Sequence, residues 1–308
     1  MLTSPKSKAA NMITERTSIH TIRRLYLQLL YRCNFTCKHC FHGERLQHAD
    51  TFTAAQACNL LGRMHREYAT EAVVLLGGEP FVYKELPRVV RYAKHTLGLS
   101  VEICTNGYRI GPRLREIAPC IDLLRISLEG AGATNDRIRR DGSYSAAIES
   151  IELARNLGVA TGATLTVNRY NIDEVVELAQ RLQTLGVSQL KLHQLRAVGN
   201  AAQHPDMLIT DDTAYTDLRY RLSQARLEIE VILDDDLSEA PACSPATGTE
   251  TIDRIEADPR GALTMSCKAV GRDSHAFWYD KDRDRIEYRP SAHDEIALGI
   301  PDVVYGRV

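Results

Sequence analysis

The amino-acid sequence predicts an α/β protein: a partial (β/α)6 barrel carrying a small C-terminal β-rich appendage. Strand-like and helix-like hydrophobic patterns alternate six times between residues 22 and 237, and after Leu233 they give way to turn-rich sequence with short strand periods. Alternation of this kind argues for parallel strands joined by helical crossovers, and barrels of such units place their site at the C-terminal ends of the strands.

The first unit opens on Leu25, Leu27 and Leu29, alternating in a strand that runs into Cys33-Asn34-Phe35-Thr36-Cys37-Lys38-His39-Cys40. Its helix begins at a capping box, Thr53 with Gln56, ahead of Ala57, Leu60, Leu61 and Met64 at helical spacing. Residues 72–76 with a helical pattern near 85–97 form the second unit, and 101–104 with the segment 112–118 the third. Residues 123–128 with a helix around 146–154 make the fourth, and 160–167 with 172–185 the fifth. The sixth is 189–195 with a helix starting near Thr210-Asp211-Asp212, followed by a strand at 229–233. Asp234-Asp235-Asp236 then leads into Ser, Pro, Thr and Gly-rich sequence, and short strand patterns flank two hairpin turns, Asp258-Pro259-Arg260-Gly261 and 280–284. The organisation expected is an N-terminal extension over 1–21, a barrel core over 22–237 and the appendage over 238–308.

With 308 residues, 44% hydrophobic and 25% charged, the chain can bury a full core. A net charge of −2 without blocks of like charge lacks the phosphate-neutralising surface of a nucleic-acid binder, so no nucleic-acid partner is expected. The longest apolar runs, such as Ala72-Val73-Val74-Leu75-Leu76, fall far short of the ~20 residues of a spanning helix, and the first ten residues are polar. A cytoplasmic protein without a membrane partner is expected. Eight cysteines, three of them crowded, read as metal or redox chemistry and not as a disulfide framework.

Three thiolates on one loop can hold three irons of a cubane cluster and leave the fourth iron open to a small molecule, whereas four-cysteine sites bind closed electron-transfer clusters. The alternatives are zinc with a distant fourth ligand, although zinc loops use Cys-x2–4-Cys in pairs, or three unrelated buried thiols.

Cys33-x3-Cys37-x2-Cys40, placed directly after the first strand of a βα barrel, resembles the radical S-adenosylmethionine (radical SAM) superfamily. The resemblance covers about residues 22–235. It implies a [4Fe–4S] cluster on Cys33, Cys37 and Cys40, an open iron chelated by the amino and carboxylate groups of SAM, and reductive cleavage to methionine and a 5′-deoxyadenosyl radical that abstracts hydrogen from substrate. Gly77-Gly78-Glu79-Pro80 matches the family's motif for the methionine amino group: glycines let backbone oxygens approach the ligand, and Glu79 can support the ammonium. Thr105 and Asn106 after the third strand, and Ser127 and Glu129 after the fourth, stand where the family places SAM-binding polar groups, the second pair near the ribose. Arg139 resembles the arginine that pairs with the SAM carboxylate, a task suited to a planar fork of donors; the plainer reading is a solvated loop shared with Arg137 and Arg140. His39 stands where the family has an aromatic residue stacking near adenine. His42 and His48 read as solvated surface groups, and Gly199-Asn200-Ala201 is similar to the family's barrel exit.

Cys243, a strand pattern over 252–257, the Asp258 turn and Cys267 resemble the opening of the SPASM or Twitch module, which carries auxiliary iron–sulfur clusters in peptide-modifying members. Two cysteines are too few for a closed four-thiolate site. Cys243 and Cys267 are therefore expected to be buried thiols or, more sharply, hydrogen-atom donors to a substrate radical; Cys58, Cys104 and Cys120 read as core. Peptide-modifying members often carry a winged-helix leader-binding domain, which residues 1–21 cannot form, so a peptide substrate would need a separate leader-binding protein or a strand added to a sheet edge. The function implied is a radical SAM enzyme acting on a ribosomally made peptide in natural-product maturation, with a reductant such as flavodoxin or ferredoxin. The alternatives are a radical SAM enzyme acting on a sugar or nucleoside intermediate, and a non-catalytic iron–sulfur protein that binds SAM.

Overall fold

The computed structural model describes residues 21–211, 213–233, 251–264 and 277–288. Seven strands run in parallel: β1 (Thr21–Gln28), β2 (Ala72–Leu76), β3 (Ser100–Thr105), β4 (Leu123–Ser127), β5 (Thr161–Val167), β6 (Gln189–Gln194) and β7 (Glu230–Leu233), each paired with the next. The crossovers are α1 (Ala54–Tyr68), α2 (Leu86–Arg91, continuing as a π turn through Thr96), α3 (Gly111–Ile117), α4 (Gly132–Ile138), α5 (Ser143–Asn156), α6 (Val175–Thr184) and, between β6 and β7, α7 (Thr213–Gln224). Thr53 closes its capping box with Gln56 at the start of α1, which satisfies helix-end donors locally.

Period-2 alternation divides each strand between two environments. Leu25, Leu27, Leu75, Val101, Ile103, Leu124, Ile126, Leu165 and Leu192 are all but fully buried and pack with helix residues such as Leu61, Met64, Val89, Leu114, Ile151 and Leu182 in one apolar cluster. Each such side chain contributes roughly 1.5–3 kcal/mol by leaving water. The residues between them, including Tyr26, Glu102, Arg125, Thr164 and Lys191, line a cavity inside the curve of the sheet. Among the described residues, no helix is long and apolar enough to cross a membrane.

The C-terminal strands continue the same sheet. β8 (Thr251–Ala257) lies parallel to β1, with Thr21 opposite Thr251 and Leu27 opposite Ala257. β9 (Ala262–Thr264), β10 (Phe277–Asp280) and β11 (Arg285–Tyr288) add on in antiparallel fashion, giving the order β11-β10-β9-β8-β1-β2-β3-β4-β5-β6-β7. Both hairpin turns read from the sequence are present. In the first, Asp258 Oδ1 accepts the amides of Arg260, Gly261 and Ala262, while a Cβ on Gly261 (φ +105°) would sit 2.2 Å from the Tyr279 carbonyl oxygen. The Tyr31 hydroxyl donates to Asp258 Oδ2 at 2.6 Å, which ties this turn to the segment leading into the cysteines.

Candidate active site

After β1 the chain leaves the sheet and passes under the end of β2, where the approach is closer than any side chain allows. A Cβ on Gly78 would lie 2.1 Å from the Tyr31 carbonyl oxygen and 2.4 Å from that of Arg32, and one on Gly77 would lie 2.8 Å from that of Leu30. The amides of Gly78 and Glu79 donate to the carbonyls of Leu30 and Arg32 at 2.8 and 3.1 Å. The two glycines are thus required by the backbone of the cysteine loop itself. From the far side, Gly199 (φ +57°) presses on the carbonyls of Cys40 and Phe41, while Asn200 donates through its amide to Cys40 O (2.8 Å) and through Nδ2 to Cys37 O (2.9 Å). The Lys38 amide donates to Ile138 O at the end of α4.

Cys37 is buried, with Cys33 and Cys40 partly so. Burial is the leading cause that pushes the Cys33 thiol up to about 12 and the Cys37 thiol up to about 11, and it raises Cys40 as well. Such a pocket holds thiolates only against cations, which the irons of a cluster are. Among the described residues no three His, Cys, Asp or Glu side chains converge on one ion, and a cubane does not require it, since each thiolate takes a different iron.

Two buried carboxylates face this loop in opposite electrostatic settings. Glu79 accepts from the amides of Phe81 (3.0 Å) and Asn106 (2.8 Å) and from Thr105 Oγ1 (2.6 Å), yet burial outweighs these bonds and raises its pKa. Three of its roughly four acceptor directions are occupied by protein donors. Its carboxylate therefore pins the Gly-Gly turn to the end of β3. Burial would raise Glu129 too, but His39, Arg139 and the Thr166 amide together hold its carboxyl below the usual range. His39 Nε2 and an Arg139 nitrogen each lie 3.0 Å from Glu129 Oε1, and the Thr166 amide donates to Oε2 at 2.9 Å. His39 Nδ1 and Arg139 Nε are buried without a partner among the described residues. An Arg139 donor left unmet beside the cysteine loop fits an anionic ligand group such as an amino-acid carboxylate. Ser127 lines the same cavity. Asn106 Nδ2 donates to Asn34 Oδ1 at 2.8 Å, bracing the loop beside Cys33.

All the site residues read from the barrel sequence, Pro80 excepted, line one cavity of about 770 Å3 or, in the case of Pro80, close its turn. Cys243 and Cys267 lie outside the described residues. Two sequence readings change, and a third is decided between its alternatives. His42 is not solvated: it is 3% exposed, its Nε2 lies 3.3 Å from Gly77 O, and burial, aided by Arg45, lowers its pKa to about 3. Of the two readings of Arg139, the solvated loop is the one that fails, since α4 turns the side chain inward onto Glu129. Cys104 is not core. Cys58 and Cys120 are buried as read, but Cys104 faces the cavity, where its thiol donates to Glu102 Oε1 at 3.7 Å.

The lumen below the loop was not read from sequence at all. Arg125 bridges Glu102 (2.5 Å), the Ala163 carbonyl (3.3 Å) and Gln189 Oε1 (3.0 Å), while Lys191, His193 and Glu256 line the wall around it. The signal lay in the polar residues that alternate with the apolar ones along each strand.

Residues 27–182 match the family model of the Radical SAM superfamily. The chain is 31% identical over 180 residues to the mycofactocin maturase MftC of Mycolicibacterium smegmatis, covering 57% of this chain and 45% of that one. It is 28% identical over 178 residues to a probable GTP 3′,8-cyclase of Saccharolobus solfataricus, covering 57% and 58% of the two chains. The chain spans roughly half the length of the relatives it matches. In fold it resembles Streptococcus suis SuiB, solved with the precursor peptide SuiA (TM-score 0.64, 13% identity, 85% of this chain and 65% of that one) and with S-adenosylmethionine (TM-score 0.66).

Proposed function

The chain belongs to the radical SAM superfamily, and on that premise we propose that it is an enzyme holding a [4Fe–4S] cluster on Cys33, Cys37 and Cys40, with SAM on the open iron. One observation carries this reading: the three thiols, the Gly77-Gly78-Glu79 turn and the Glu129–Arg139 pair open into a single cavity that continues down the barrel. When bound, cluster and SAM supply a 5′-deoxyadenosyl radical by reductive cleavage. The residues of the chain position and shield. Arg139 Nε is the donor for the SAM carboxylate, and Glu129 orients both Arg139 and His39 by accepting from each. When SAM is bound, His39 would be the residue available to the adenine, and Ser127 and Glu129 those available to the ribose. Glu79, through Thr105 and Asn106, holds the Gly77-Gly78 turn that would receive the ammonium. On this reading residues 22–237 are the catalytic barrel and 238–308 a SPASM/Twitch-like remnant, whose described strands β8 to β11 extend the sheet from β1.

The substrate we propose is a ribosomally synthesised peptide in natural-product maturation, presented with the help of a separate leader-binding protein, in a cytoplasmic enzyme reduced by flavodoxin or ferredoxin. The likeness to a peptide-bound SuiB and to MftC supports this. A small anionic metabolite is the second reading, favoured by the Arg125 and Lys191 side chains of the lumen and by the cyclase relative. The test is anaerobic reconstitution followed by SAM and dithionite, with candidate precursor peptides in one arm and nucleoside phosphates in the other. Loss of two hydrogens from a peptide indicates crosslinking, solvent deuterium uptake without other mass change indicates epimerisation, and loss of a fragment indicates cleavage. Turnover of nucleotides with no peptide changed would reverse the order of the two readings.

A further inference from the structure

Beyond the radical-generating end, and resting on the reading of that end as a radical SAM site, we propose that Cys104 donates a hydrogen atom to carbon radicals formed in the barrel lumen. Along β3 the burial alternates: Val101 and Ile103 pack toward the helices, whereas Glu102 and Cys104 line the cavity. Among the described cavity residues Cys104 is the one thiol outside the cysteine loop. Register fixes its depth. Gln28 pairs with Leu76, and Leu75 pairs with Ile103, so Gln28, Leu76 and Cys104 share a layer across three adjacent strands, directly below the Gly77–Glu79 turn.

A second, independent feature of this layer points to a bound molecule. Gln28 is 3% exposed and lines the cavity; its Nε2 donates to Glu256, and its Oε1 has no partner among the described residues. A buried carbonyl oxygen left unmet costs free energy that a ligand donor would recover. The layer that holds the thiol is therefore also one that a polar molecule can fill.

The surroundings keep the sulfur as S–H, the form needed for atom transfer. The thiol donates to Glu102 Oε1, and burial, reinforced by the Glu102 charge, pushes its pKa far up, against the smaller opposing effects of Arg125 and Lys191. An S–H bond is weaker than an aliphatic C–H bond, so transfer to an alkyl radical runs downhill. In the step the S–H bond breaks homolytically, a C–H bond forms on the radical carbon, and a thiyl radical remains. One electron from a low-potential one-electron reductant and one proton from solvent restore the thiol.

A substrate-independent experiment tests this. The anaerobically reconstituted full chain is given SAM and dithionite in D2O, where the thiol exchanges to S–D, and the 5′-deoxyadenosine formed is analysed by mass spectrometry as labelled fraction per molecule formed. Wild type is expected to yield predominantly monodeuterated product. Cys104→Ala and Cys104→Ser, each retaining cluster iron, are expected to lower the labelled fraction at least fivefold, while Cys58→Ala, in the helix-facing core, leaves it unchanged. Equal labelling in wild type and Cys104→Ala, or unlabelled product from wild type, overturns the assignment. Absence of deoxyadenosine from every protein sinks the radical SAM reading, and this one with it.

Discussion

Around the three thiols, backbone is packed on backbone: Gly77 and Gly78 fit under Leu30 to Arg32, Gly199 fits against Cys40 and Phe41, and Asn200 holds two loop carbonyls. A few residues deeper, the same strands meet through side chains, with Arg125 spanning Glu102, Ala163 and Gln189, and Gln28 reaching Glu256. The rim has almost no room for substitution, because each contact sits at van der Waals limit or below it for any added atom. The lumen can change residue by residue so long as its charges stay paired. On the proposed function, a chain built this way would keep its radical-generating end fixed while the chamber below set what is transformed.

The contrast breaks most completely at the thiols. Changing Cys33, Cys37 and Cys40 together to Ala is expected to remove all of the cluster iron, about four atoms per chain, as read by iron analysis; the same stoichiometry in the variant would move the cluster elsewhere. In the lumen the expected loss is stability, with iron retained. Glu102→Ala leaves a nearly buried Arg125 without its carboxylate, at a cost of about 3 kcal/mol in unfolding free energy, read as a lowered denaturant midpoint, and Glu102→Gln costs less. Equal midpoints for wild type and Glu102→Ala would show that the lumen charges are not coupled.

At the junction of the two regions, Arg139→Ala is expected to weaken SAM binding by about 1.5–3 kcal/mol, ten- to more than a hundredfold, with cluster iron unchanged. Titration by calorimetry under anaerobic conditions reads it, and unchanged affinity removes Arg139 from the ligand. The smallest effect expected is that of Glu129→Gln, about 1.5 kcal/mol at neutral pH. Because the folded-state pKa of Glu129 is depressed, its contribution is present above the ordinary value of 4.5 and is lost as pH falls through the lower folded value. Unfolding midpoints of wild type and variant should therefore converge below pH 4.5; a gap constant down to that range and beyond would mean the carboxylate charge plays no part.

The rim was legible in the sequence for the reason that makes it rigid. Close approach demands glycine, thiols on one short loop demand fixed spacing, and the Thr53–Gln56 cap and the Asp258 turn are satisfied by neighbours in the chain. Arg139 was read into the site, but its pairing with Glu129 was not legible, since it depends on α4 standing where a loop was expected and turning Arg139 back onto the residue ten positions before it. Cys104 was misread because its neighbours Val101 and Ile103 mark the strand as apolar, and only closure of the sheet decides which side of a strand is outside. The burial of His42 likewise follows from Gly77, brought to it from the end of β2. The union of the C-terminal strands with β1 left no local trace, because parallel pairing of residues 21–27 with 251–257 needs no turn between them.

That last pairing has a temporal side. The strand that leads into the three thiols gains its β2 neighbour soon after synthesis, but its other edge waits for β8, more than two hundred residues later. At ribosomal speeds of about 5–20 residues per second, that is roughly ten to forty-five seconds. Throughout that interval a row of unpaired amides and carbonyls lies open to any passing strand. Among the described strands, the first to be made is among the last to gain both neighbours, and on the proposed function whatever delivers iron to the three cysteines meets either a half-clad β1 or a finished one.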